Sequence, residues 1–378
     1  MTPKPLSDAV QKGLAYLVGR QHPAGGWSQG GGWRTGPQGG RVEGPDVADP
    51  ADVANTCAAT LALLRAGHTP AAGEYAPQAG RALDFIIGSV ERADADSPYV
   101  TDLRDTQVQA KIGPYADTFL ASMVLSEAKG LMPDGAGEAR LAAALDKVIA
   151  KLERHQEADG TWTKGGWAPV VGQSLAATGL NRARRRGAKV ADETLERAEK
   201  YARTKYDAGT GAYDMEGSAG VPLYSIGSQM AGSTHSVFSF KAMKPHLRRA
   251  AAEAASPEER DRAAAKLKNI EEAEAAQRAS MEGTHAYLKD ENFRRGFGSN
   301  GGEEFLSYLN ISEALLVQGG PPWDEWDRDM TANMERIQNG DGSWSGHHCI
   351  TGRTFCTAAA LLVLMADRGP RPDVVVNV

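Results

Sequence analysis

The chain has little of three things that would decide its class at once: cysteine, excess positive charge and long apolar stretches. Three cysteines (Cys57, Cys349, Cys356) in 378 residues are too few for a disulfide framework, and their odd number leaves at least one thiol free or bound to something. Forty-two Lys and Arg against 48 Asp and Glu give a net charge of −6, the wrong sign for a protein that works by neutralising nucleic-acid phosphates. The longest apolar stretch, 356–365, falls well short of the roughly 20 residues that span a bilayer, so no membrane-spanning segment is expected. Residues 1–18 lack the charged and apolar regions of a secretory signal, which makes the cytoplasm the default compartment. An exported protein whose leader has been removed would read the same.

What is abundant is glycine, 43 residues of it, gathered beside tryptophan. Gln21 to Trp27, Gln156 to Trp162 and Gln338 to Trp344 all read Q-x3-G-x-W, each behind a helix-like stretch (9–20, 141–155, 327–337). Gly after a helix supplies the left-handed conformation that ends it. The Gln can bond exposed backbone groups there, and the Trp covers the turn. After each turn comes a more apolar helical pattern, at 53–65, 114–128 and 353–365, with similar segments at 169–181, 226–244 and 303–316. Between them lie amphipathic, charged helices near 7–20, 78–92, 138–156, 190–205, 258–289 and 323–338. A helix apolar all round must be buried, and an amphipathic one faces solvent on one side. Strict alternation therefore predicts an all-α fold, a closed (α/α)6 toroid of inner and outer helices, in one domain over 1–378. An open α-solenoid is the alternative.

The repeats resemble those of squalene–hopene-type cyclases. The Gly342-Ser-Trp344 turn leading to Arg353-Thr-Phe-Cys-Thr-Ala-Ala-Ala-Leu-Leu362 is similar to the last repeat of protein prenyltransferase β-subunits. Both families belong to the α/α-toroid superfamily, and the resemblance implies that fold, an isoprenoid-like substrate and, as for the β-subunits, a second subunit. The chain has no D-x-D-D acid and no D-D-x-x-D motif. Cys356 stands about where the β-subunits place a zinc-binding His, and Glu303-Glu304 offers a carboxylate but no Cys.

In such a toroid the inner helices run the same way, so their N-termini converge on one rim. Asn55, Thr56 and Cys57; Tyr115, Asp117 and Thr118; Ser233 to Ser236; Glu303 and Glu304; and Thr354 to Cys356 are the rim residues expected. Ring closure brings Cys57 towards Cys356, with Cys349, His347 and His348 alongside. Thiolate and imidazole together suit zinc or copper, so Cys57, His347, His348, Cys349 and Cys356 are the expected metal ligands. A disulfide, or plain buried thiols, are the other readings of the cysteines. Asp117, His235 and Glu304 are the expected proton-transfer groups; as structural residues they are helix caps and a satisfied core histidine. The glycine-rich stretches 25–40 and 298–302 lack a preceding strand and a Gly-Lys-Ser ending, and are expected to be rim loops.

The reading that follows is a metal-assisted enzyme acting on a small-molecule or peptide substrate, isoprenoid-like or peptidic, at the mouth of the toroid. A carbohydrate-active (α/α)6 enzyme would instead pair Asp117 with Glu303 or Glu304 and use Trp27, Trp33, Trp162, Trp167 and Trp344. A non-catalytic toroid binding a lipid or a protein is the third reading.

Overall fold

The computed structural model describes residues 2–34, 41–298 and 301–370. Helix dominates them, and the other regular elements are two short antiparallel ribbons. The chain is all-α. Amphipathic helices α1 (Asp8–Gly19), α3 (Ala76–Arg92), α6 (Gly135–Arg154), α8 (Asp192–Thr204), α10 (Pro257–Lys289) and α13 (Pro321–Arg336) alternate with apolar helices. The apolar set is α2 (Val53–Arg65), α5 (Ala116–Ala128), α7 (Pro169–Arg185), α9 (Pro222–Ala252), α12 (Gly302–Gln318) and α14 (Arg353–Leu364). Two short helices, α4 (Gln107–Ile112) and α11 (Glu291–Arg295), lie in the connections.

Burial follows the sequence pattern. All 13 residues of α2 and all 13 of α5 are buried. Helix α10 has 33 residues and buries five, Ala263, Ile270, Ala273, Ser280 and Thr284, a single stripe down one face. Each apolar helix packs on the next (α2 on α5, then α7, α9, α12 and α14), and α14 packs back on α2. Beyond Phe240 helix α9 leaves the core, and α10 returns along it. Ser256 caps α10 through Glu259 N at 3.2 Å, while the Glu259 carboxylate accepts from Ala255 N at 2.9 Å.

The three Q-x3-G-x-W turns do the same physical work. Trp27, Trp162 and Trp344 donate Nε1–H to Leu17, Leu152 and Met334 carbonyls at 2.7, 2.8 and 2.8 Å, satisfying a carbonyl near the end of the preceding outer helix. Each Gln Nε2 donates twice. One bond goes to the Gly carbonyl within its own turn, the other to a carbonyl in the first turn of another outer helix: Gln78, Thr194 and, for Gln338, Ala9. Gly25, Gly160 and Gly342 have φ of +95°, +89° and +87°. A Cβ on any of them would lie within 2.7 Å of a backbone carbonyl oxygen, of Arg81, Arg197 or Lys12. The third turn thereby ties the end of the chain to its first helix.

Candidate functional site

The two ends of the apolar helices carry opposite chemistry. Where α2, α5 and α7 end, Arg65, Glu127 and Arg182 meet Glu313 of α12 and His235 of α9. Arg65 bonds Glu127 at 3.1 Å and Glu313 at 2.7 Å, and Arg182 bonds the same two carboxylates at 3.1 and 2.7 Å. Burial opposes charge on Glu313, but Arg182, Arg65 and the His235 bond outweigh it and hold the carboxyl well below its usual range. His235 accepts from Arg185 at Nδ1 (3.0 Å) and faces Glu313 through Nε2 (3.2 Å). Burial, with Arg185 and Arg182 beside it, pushes its pKa down to about 4, so the ring is neutral with its proton on Nε2. The sequence placed His235 on the N-terminal rim. Helix α9 begins at Pro222, so His235 sits about 20 Å further along the helix, inside this network, as a satisfied core histidine.

The opposite end holds the remaining expected residues, in two separate groups. In the first, Asp52 and Asp117 grip the start of α2. Asp52 caps Asn55 N at 2.8 Å, and Asp117 accepts from Ala54 N at 3.0 Å and from Gln109 Nε2 at 2.6 Å. Burial and the neighbouring Asp117 raise Asp52 to about 7. Cys57 is fully buried here, its thiol pushed up by burial and by these two carboxylates.

The second group surrounds Glu303. Ile350 N donates to Glu303 Oε2 at 3.1 Å, and the Cys356 thiol donates to the Ile350 carbonyl at 3.2 Å. Cys349 lies within hydrogen-bonding reach of Glu303 and Lys111, with its Sγ 2.7 Å from His348 Nδ1. Cys349 has φ +66°, a left-handed conformation unusual for a residue with a side chain. Its carbonyl is held at 2.8 Å by Gln107 of α4. All three thiols are free. Cys349, Cys356 and the histidines share one neighbourhood, whereas Cys57 sits with Asp52 and Asp117. Among the described residues no three His, Cys, Asp or Glu side chains are disposed to hold one ion.

Cys349 opens onto a cleft of about 570 Å³. Its walls are the 345–349 segment with His347 and His348, Thr351 and Arg353 at the start of α14, Lys111 and Trp167, and the ribbon of β1 (Gly32–Arg34) and β2 (Arg41–Glu43). The ribbon stands where the sequence suggested a glycine-rich loop; residues 35–40 of that stretch, and 299–300 of the second, lie outside the described residues. The strand is pinned by Trp33 N to Thr351 Oγ1 (2.5 Å), while the Gly30 and Gln29 carbonyls cap the first turn of α14 at 3.2 Å each. Gly30, Gly31 and Gly32 all have positive φ, and a Cβ on Gly32 would fall 2.7 Å from Gly352 N. Trp167 N and Ala168 N bond the last carbonyls of α4, which sets Trp167 beside Lys111.

Burial and Glu303 push the Cys349 thiol up to about 12, against the pull of Lys111. Burial likewise raises Glu303 to about 7, although Cys349, Ile350 N and Lys111 favour its charge. Glu303 Oε1 and Tyr224 Oη are buried without a well-formed protein hydrogen bond among the described residues. Of the two adjacent acids the sequence favoured Glu304, which instead accepts from Gly298 N at 2.5 Å and from the Tyr308 hydroxyl. The only hint that Glu303 faces the site is helical phase, since Tyr308 lies one turn from Glu304 on the same face.

No protein-family model matches the chain, and no curated protein is similar to it.

Proposed function

We propose that the chain is a closed (α/α)6 toroid whose N-terminal rim carries an enzyme site centred on the Cys349 thiol, acting on a small-molecule or peptidic substrate. The circuit of packed apolar helices and the tie from Gln338 to Ala9 support the ring. One observation carries the activity: Cys349, held at positive φ beside His348, lies on a cleft large enough for a small molecule. The thiol is protonated at neutral pH, so it needs a base, and His348 Nδ1 is in contact with Sγ. His348 takes the thiol proton, sulfur bonds to an electrophilic carbonyl carbon, and the leaving group departs with the proton that His348 returns. Water, deprotonated by the same imidazole, then cleaves the S-acyl bond and regenerates the thiol. Lys111 favours the thiolate and Glu303 opposes it.

The test is incubation with p-nitrophenyl acetate and mass spectrometry of the protein. An acetyl group on Cys349, absent in Cys349→Ser and strongly slowed in His348→Ala, is the expected result. Acetylation elsewhere, or none, sinks the reading and leaves a binding toroid.

A metal-assisted version is the second reading: His347, His348 and Cys349 line one cleft, although in this arrangement no three such side chains converge on one point among the described residues. Zinc or copper would be held there by thiolate and imidazole. Stoichiometric metal lost in Cys349→Ser, by elemental analysis, would support it. The isoprenoid-like substrate and second subunit implied by the resemblance have no further support. Nor does the paired-carboxylate reading, since both oxygens of Asp117 are engaged by Ala54 and Gln109.

A further inference from the structure

Three large hydrophobic side chains stand exposed among the described residues: Trp33 (36%), Val42 (77%) and Trp167 (52%). All three line the same cleft. Scattered exposed apolar groups are ordinary, but their collection around one concavity marks an apolar ligand.

The charges at the cleft are unevenly matched. Arg353 is paired with Asp341, and Glu43 with Arg34 and Arg41. Lys111 makes no ion pair within 4 Å with a described carboxylate, although it lies near enough to the buried Glu303 to favour its charge. Its ammonium lies 5.3 Å from the Trp167 ring centroid and within reach of the Cys349 sulfur. The cation left to receive an anion is therefore beside the nucleophile, at the edge of the apolar surface.

We infer that the cleft takes an apolar acyl compound, its hydrocarbon or aromatic body against Trp33, Val42 and Trp167 and its carboxyl carbon at Cys349, where Lys111 receives the oxyanion and the carboxylate product. This names the substrate class of the thiol site and rests on that reading for the reaction, though not for the binding. The two bonds from residues 167–168 to the end of α4 keep cation and ring together, so apolar body and anionic head are read by one rigid unit. The cleft's about 570 Å³ lies within the usual range for small-molecule sites.

Three probes with one body and different heads test it by titration calorimetry: 4-phenylbutyrate, 4-phenylbutanol and 4-phenylbutylamine. The acid should bind about tenfold more tightly than the alcohol, with the amine weakest. Lys111→Met should make acid and alcohol equal, while Trp167→Ala should weaken both by a similar factor. Cys349→Ala should keep the order of the heads, separating binding from thiol chemistry. Equal binding of the three heads, preference for the amine, or no binding overturns the ligand class, even where Cys349 acetylates as proposed. The expected order without acetylation leaves the ligand class standing and removes the thiol reaction.

Discussion

Two clusters of ionisable groups sit at opposite ends of the same helices, and they are built on different rules. At the C-terminal end all four carboxylate oxygens of Glu127 and Glu313 are bonded to Arg65, Arg182 or His235. The histidine is neutral and held on both nitrogens. At the N-terminal end Glu303 and Tyr224 keep polar atoms unmatched, Cys349 occupies a left-handed conformation, and tryptophans are exposed. A buried network with its acceptors satisfied specifies packing. Cys349 and the exposed tryptophans line the cleft, while Glu303 and Tyr224 lie buried behind it, and such a surface is where a ligand is expected. Burial and titratable residues alone would rank the Arg–Glu–His cluster as the active site. Arg65 Nη1 and Arg182 Nε are buried there without a partner among the described residues, but its carboxylates and imidazole are all engaged, whereas Cys349 lines a cleft.

Breaking each end should give different phenotypes. Glu313→Ala leaves two buried guanidinium groups with Glu127 as their one shared carboxylate and should cost about 3–5 kcal/mol, read by chemical denaturation, while Cys349 in the folded fraction keeps its reactivity. Loss of Cys349 reactivity with little loss of stability would contradict the division. The network should also be acid-sensitive. His235 has its folded pKa below the ordinary value of 6.5, at about 4, so its contribution is present above pH 6.5 and lost as pH falls towards 4. The loss is up to about 3 kcal/mol. Glu313, also depressed, adds a second loss below the ordinary carboxylate range. His235→Gln should remove this loss between pH 6.5 and 4, leaving the opposite slope that the raised Asp52 and Glu303 carboxyls give there and the lower limb; an unchanged profile would remove His235 as its source.

At the rim the expected effects are kinetic. Glu303→Gln removes the charge that raises the Cys349 thiol and should speed its alkylation. Lys111→Met should slow it, about tenfold for each unit of thiol pKa. Changes in the same direction in both variants would mean that access governs the thiol. Smallest of all, Cys349→Gly relieves the positive φ and should stabilise the fold by about 1 kcal/mol or less.

The difference between the ends also explains what the sequence could convey. Helix positions were legible because burial shapes the pattern, as in the wholly buried, mostly apolar 53–65 and the one-sided 257–289. The turns were legible because Gln, Gly and Trp each have a fixed task there. The site was legible only in part. That Cys349, His347 and His348 meet follows from adjacency, and Cys356 lies near them because α14 starts there. Cys57 sits with Asp52 and Asp117 because its position along α2 turns it to that side. His235 was misplaced because α9 starts earlier than its apolar pattern. Glu304 was preferred to Glu303 for proton transfer because adjacent helical residues point about 100° apart, a phase that the Glu-Glu pair alone does not reveal.

The central claim is that the rim holds the reactive thiol. The most direct measurement is per-cysteine iodoacetamide labelling of the folded wild-type protein, read by mass spectrometry across pH. Cys349 should label first, with a rate still rising beyond pH 9, while Cys57 and Cys356 stay protected until the protein unfolds. Labelling of Cys57 or Cys356 ahead of Cys349, or equal protection of all three, would contradict the account.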